Sequence, residues 1–223
     1  MVFQLRSLLV VCLMLGTLTT VSAEPVVVNG DFENDVLGFT VWPGYIGNGN
    51  PETISGWTGE GGRGINPVNA DHDSPAPFRD NGNNDTHVAF LQGVSSISQT
   101  VSGFTVGTEY VLTLDFNSRN CCGDSPVASV FLNDILAAST VDVFGGNGAT
   151  PAVGADADWY PASVEFTAPS EDIVLKIATE PAAGGDSTLV IDNVAFSVVP
   201  EPNTCILMLL GMLGFVSAAR RRK

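Results

Sequence analysis

The 223-residue sequence predicts an all-β domain, an antiparallel jelly-roll β-sandwich, set between two short terminal segments. Three observations lead there. Apolar residues recur with period two inside runs bounded by Gly, Asn, Asp and Pro, which is the strand signature. No stretch of the body reads as a long amphipathic helix. The runs are short and numerous, and eight or nine of them with turn-rich connections suit two packed antiparallel sheets.

The first segment, residues 1–23, is not part of that domain. Arg6 precedes an apolar run over residues 8–18, and the small residues Val21-Ser22-Ala23 follow. This is the layout of a secretory signal peptide, with the mature chain beginning near Glu24. The body, residues 24–198, is long enough for one domain with a sizeable core. Strands are expected at 26–28, 86–92, 96–101, 127–137 and 187–198. The clearest alternation is in "TEYVLTLDFNSRN", where Tyr110, Leu112, Leu114 and Phe116 share one face and Thr113, Asp115 and Asn117 the other. "WYPASVEFTA" sets Val164 and Phe166 against Ser163, Glu165 and Thr167, and "DIVLKIATE" points Ile173, Leu175 and Ile177 inward. In the last strand the alternation breaks at Asp192-Asn193, which predicts a bulge or a side chain aimed at something specific. Two connections, 44–79 and 142–158, are long, and loops of that length are usually functional or mobile.

The last segment, residues 199–223, holds Pro200-Glu201-Pro202, about sixteen apolar or small residues over 204–219, and Arg220-Arg221-Arg222-Lys223. A run of that length is slightly shorter than the roughly twenty residues that span a bilayer comfortably, and the cationic end would stay cytoplasmic. A single-span helix is expected, with the body outside.

Charge narrows the function. Outside the terminal segments only Arg63, Arg79, Arg119 and Lys176 face 23 of the 24 carboxylates, a balance of −19. Such a surface repels nucleic acid and anionic lipid and attracts divalent cations. The body's cysteines are the adjacent pair Cys121 and Cys122. Neighbouring Cα atoms stand about 3.8 Å apart, below the usual disulfide range of roughly 4.4–6.8 Å, so a ring between them carries strain. Free thiols, a vicinal disulfide stiffening the loop after Asn120, and bridges to a partner chain are the three outcomes open to an exported protein with this pair. With two histidines and no nucleophile-elbow, zinc-protease or phosphate-loop pattern, the chain reads as a non-enzyme.

The tail resembles the PEP-CTERM sorting signal of exopolysaccharide-producing bacteria, with its three parts present in order. That resemblance implies processing by an exosortase, a membrane protease. It implies transient anchoring in the inner membrane and then release to the cell surface or extracellular matrix. The body resembles the galactose-binding-like superfamily, in particular carbohydrate-binding modules and DUF642-type domains. The residues that carry this are "VVNGDFE" (27–33), Gly56-Trp57, "HVAFLQG…SISQTV" (87–101), "YVLTLDFNSRN" (110–120) and "LVIDNVAF" (189–196), in that order.

The second resemblance implies a jelly roll, association with extracellular polysaccharide, and a structural Ca²⁺ joining the first and last strands. Its ligands would be Glu33 and Asp192 with backbone carbonyls, since Ca²⁺ takes six to eight hard oxygens. Sugar rings stack on apolar faces while their hydroxyls need polar partners. Trp42, Tyr45, Trp159 and Tyr160 are the candidate aromatic contacts, and Arg119 and Asn120 the candidate polar ones at a loop tip. Trp57 is expected in the core. The alternative is a structural or adhesive matrix protein that uses the same sandwich without a defined sugar site.

Overall fold

The computed structural model describes residues 24–35, 37–66, 87–119, 125–140, 150, 159–181 and 187–199. The signal segment, residues 200–223 of the tail, Asn120, Cys121 and Cys122 lie outside them. Among the described residues no helix is long and apolar enough to cross a membrane. Eight strands form: β1 (Thr58–Asn66), β2 (Val88–Ser102), β3 (Glu109–Ser118), β4 (Pro126–Leu132), β5 (Ile135–Ser139), β6 (Tyr160–Thr167), β7 (Asp172–Pro181) and β8 (Thr188–Val198). All their pairings are antiparallel, in the order β5-β4-β7-β2-β8-β3-β6 with β1 also on β2.

That single order folds into two leaves because β2 changes partner along its length. Residues 89–92 pair with β8, whereas residues 95–102 pair with β7. The change falls at Gly93, with φ 65°, opposite a register break in β1 at Gly61, with φ 75°. Glycine is required at Gly61 for a second reason: a Cβ there would come within 2.4 Å of the Val94 carbonyl oxygen. The front leaf is therefore the end of β1, the start of β2, then β8, β3 and β6. The back leaf is the rest of β2 with β7, β4 and β5. Their inner faces meet in one core that includes Ile97, Leu112, Ile173, Leu175, Ile177 and Leu189, all fully buried. This is the antiparallel jelly-roll β-sandwich the periodicity predicts.

Most strand expectations hold, with instructive differences. The two runs expected at 86–92 and 96–101 are one strand bent at the corner. The run at 127–137 is a hairpin, closed by Asn133 and Asp134 with φ 51° and 62°, the two positive values that a primed turn needs. Residues 26–28 are not a strand. Their place is taken by side-chain hydrogen bonds: Gln99 Oε1 accepts the Val28 N–H at 2.7 Å, and Gln99 Nε2 donates to the carbonyls of Val28 and Gly56. β1 lies inside the long connection expected at 44–79, hidden by its glycines.

The segment before β1 wraps over the sandwich and is anchored by residues of two short motifs. Phe32 and Trp57 pack with ring centroids 5.7 Å apart, and Trp57 Nε1 donates to the Asn29 carbonyl at 3.1 Å. Trp57 is thus a core residue, as expected. At the β8 bulge, where the register slips between Thr113 and Asp115, the Val194 N–H donates to the Gly30 carbonyl at 2.9 Å. The predicted irregularity at Asp192-Asn193 is this bulge, with Asn193 at φ 53°.

Candidate functional site

An outer sheet face normally alternates with the core face in burial. At one end of the front leaf it does not. Residues 88–91 of β2, 188–192 of β8 and 116–118 of β3, with Arg119 just after it, are buried on both parities. The core-facing set is Ala89, Leu91, Leu189, Ile191 and Phe116. The outward set is Phe90, Val88, Val190, Asn117, Thr188 and Asp192, so this end carries a third layer on its outer side.

Tyr45 supplies part of that layer. The stretch 44–46 runs beside β1, with the Ile65 N–H donating to the Gly44 carbonyl and the Ile46 N–H to the Arg63 carbonyl. Gly64 permits this close approach, because a Cβ there would meet the Gly44 carbonyl oxygen at 1.9 Å. The loop behind it is held by Asn50, whose side chain bonds the Val41 N–H and the carbonyls of Val41 and Tyr45. Tyr45 lands edge-on over Phe90, with centroids 5.0 Å apart and planes at 85°, and its hydroxyl donates to Gln92 Oε1. Trp159 packs from the other side against the cluster of Val88, Phe90 and Val190.

Polar groups lie buried beside these rings. Asn66, Asn117, Arg119, Thr188 and Asp192 are all less than a tenth exposed. Register places Asn66 opposite Val88, Asn117 opposite Val190, and Thr188 opposite Gln92. Three buried polar atoms around this one apolar cluster, Asn66 Oδ1, Thr188 Oγ1 and Trp159 Nε1, have no hydrogen-bond partner among the described residues. Each such atom costs about 1–3 kcal/mol, so three around one cluster mark a place where the described residues leave hydrogen-bonding capacity unmet.

The sequence-predicted site residues divide. Tyr45 and Trp159 come together on this face. Trp42 is exposed on the loop that carries Tyr45. Arg119 departs from the loop-tip expectation: it is 8% exposed, with its N–H donating to the Thr188 carbonyl at 3.1 Å. Tyr160 departs as well. It follows Trp159 directly, so it takes the opposite face and packs on Phe116 at the core, with centroids 6.0 Å apart. Asn66, Phe90, Gln92, Asn117, Thr188 and Val190 were not anticipated. The signal for Phe90 and Val190 lies in "VAFL" and "LVI", apolar runs without alternation, which imply cover on both faces; the four polar residues carry no such signal.

Glu33 and Asp192 are both engaged with neighbouring backbone. Glu33 Oε1 accepts the His87 N–H at 2.6 Å, and its Oε2 lies 3.1 Å from His87 Nδ1. Asp192 Oδ1 accepts the Asn193 N–H at 2.7 Å. Among the described residues no three His, Cys, Asp or Glu side chains gather as a metal site. Each carboxylate accepts N–H groups here, and a calcium cage at this place would need backbone carbonyls beside them to reach six to eight oxygens.

A jelly-roll sandwich with an aromatic and polar outer face thus defines the molecule as far as its own geometry goes. Residues 198–223 match the PEP-CTERM protein-sorting motif, which marks the chain for export with transit through the membrane. No curated protein sequence matches it. In fold it is similar to the Stig cyclase Fisc from Fischerella sp. TAU, solved with (3Z)-3-(1-methyl-2-pyrrolidinylidene)-3H-indole. That match has a TM-score of 0.51 and 15% identity over 81% of this chain and 99% of the other. Carbohydrate-binding modules are among its structural neighbours. TmCBM61, solved with β-1,4-galactotriose, gives a TM-score of 0.42 and 14% identity over 73% and 99%. A family 35 module from Clostridium thermocellum gives 0.39 and 9% over 64% and 92%.

Proposed function

We propose that the chain is an exported glycan-binding module, released from the membrane by an exosortase. The doubly buried end of its front leaf would take a sugar unit of an extracellular polysaccharide. The observation that carries the reading is the meeting of aromatic rings with buried polar atoms that lack partners among the described residues. Trp159 and Tyr45 offer apolar surface to a sugar ring, while Trp159 Nε1, Asn66 Oδ1 and Thr188 Oγ1 await hydroxyl partners. The acidic body disfavours nucleic acid as the alternative polymer.

The test is a glycan array probed with the full-length chain and with Trp159→Ala. Specific glycans should bind the parent, with a loss on the order of tenfold or more in the variant, as expected for an aromatic anchor. Binding to no glycan would favour a purely structural matrix role. For the tail, replacing Pro200, Glu201 and Pro202 by alanine should leave the protein in the membrane fraction of an exosortase-bearing host. Unchanged release would defeat the sorting assignment.

A further inference from the structure

Between the two leaves, the inner face of the back leaf changes character along its length. The registered row Ile97–Ile177–Val130 is apolar and belongs to the main core. The next row on the same parity is Ser95–Thr179–Ala128. Ser95 stands just after Gly93, where β2 passes from one leaf to the other. The facing leaf also carries hydroxyls at this end. Ser118 lies opposite Leu189, which lies opposite Leu91 in the core, and the Gly93 N–H on the Ser187 carbonyl at 3.2 Å brings Ser187 to the corner. Ser118 and Ser187 are fully buried.

Ser95 and Thr179 are 5% and 4% exposed, and their hydroxyl oxygens have no hydrogen-bond partner among the described residues. The two are registered neighbours on adjacent strands, with Cβ atoms roughly 5 Å apart, yet they do not bond each other. Buried hydroxyls in folded proteins are almost always paired, with protein or with ordered water. The surroundings then select the partner. An organic ligand has no way in, since neither hydroxyl reaches the surface. A metal cation would want carboxylates, and neither this row nor Ser118 and Ser187 carries one. An anion would want N–H groups, and those of β2 and β7 are spent on the ladders. Water is small enough to be enclosed, and it both donates and accepts, as two hydroxyls side by side require.

We propose that one internal water bridges Ser95 Oγ and Thr179 Oγ1 between the leaves. It fastens the corner of β2 by hydrogen bonds, where the rest of the core holds by apolar contact. The site is independent of glycan binding on the front face. Thr179→Val keeps the side-chain shape and removes the hydroxyl, so the sign of its effect on stability reads out the water. The full-length protein is unfolded in urea alongside Thr179→Val, Ser95→Ala and the double variant. Water ¹⁷O magnetic relaxation dispersion on the parent and Ser95→Ala counts long-lived internal waters directly.

Each single variant should lower the folded-to-unfolded ratio about fivefold, the usual worth of one buried hydrogen bond. The double variant should lose clearly less than the product of the two, because either change alone dismisses the shared water. The dispersion count should fall by one in Ser95→Ala. A hydroxyl with no partner at all predicts the opposite sign: Thr179→Val would then raise the ratio by about fivefold or more, since a costly buried group has been removed. That rise, or no change, overturns the proposal. Losses that simply multiply overturn it too, because the hydroxyls then share nothing. So does an unchanged count of internal waters, whatever the fate of Thr179→Val.

Discussion

The two ends of the front leaf share the strands β3 and β8 and behave differently. Toward residues 110–113 and 194–198, β3 and β8 alternate between buried and accessible positions, as a sheet with one wet face should. Toward residues 116–119, 188–192 and 88–91, every position is buried. The difference is not hydrophobicity, since Asn117, Thr188 and Asp192 are among the buried residues. It is the layer laid over that end, to which the segment before β1 contributes Tyr45. A sheet covered on both faces turns its outward polar residues into recessed hydrogen-bonding groups, which is how a smooth sandwich acquires a site.

The sharpest way to break this comparison is Phe90→Ala. Phe90 points away from the main core yet is 1% exposed, so its loss should cost about 3 kcal/mol by urea unfolding, in the usual range for a buried Phe. A change near zero would show that the third layer is not packed. Next comes Gln99→Ala, which strands the Val28 N–H and two carbonyls at the joint where the covering segment is tied down. About 2 kcal/mol should be lost. At the alternating end, Thr113→Ala touches only an exposed position and should change stability by less than about 0.5 kcal/mol. The smallest effect expected is from calcium. With Glu33 held by His87, neither EDTA nor added calcium should move the melting midpoint. An ion present at about a hundred times its dissociation constant would add roughly 2.7 kcal/mol, and a rise of that order abolished in Asp192→Ala would show that Glu33 releases His87 to bind metal.

The parts of this fold legible in the sequence are those where one physical signal acts alone. Leu112, Leu114 and Phe116 alternate because β3 has one core face, and the break at Asp192-Asn193 announces a bulge because nothing else interrupts the run. β1 was illegible because "TGEGGRGIN" is chosen for close backbone approach at Gly61 and Gly64, and glycine erases the strand pattern. The hairpin at Asn133-Asp134 was hidden because a primed turn needs two residues that tolerate positive φ, and no Gly marked it. In the site, Tyr45 and Trp159 could be guessed as loop aromatics. Their polar neighbours could not be, since Asn66, Asn117 and Thr188 come from three strands that only the tertiary register brings together.

The sorting tail continues from β8, the strand flanked on both sides in the front leaf by β2 and β3. The exit is pinned by the Val199 N–H on the Glu109 carbonyl at 3.0 Å, and five residues earlier by Val194 on Gly30. Any pull on the tail while it is still inserted therefore runs along an interior strand. Next to the exit, residues 195–198 are laddered to β3 alone, and β2 joins the other side of β8 only at residues 188–191. A load on the tether therefore falls first on the β3 ladder and the Val194–Gly30 bond, and reaches the doubly flanked part of β8 only after those give way.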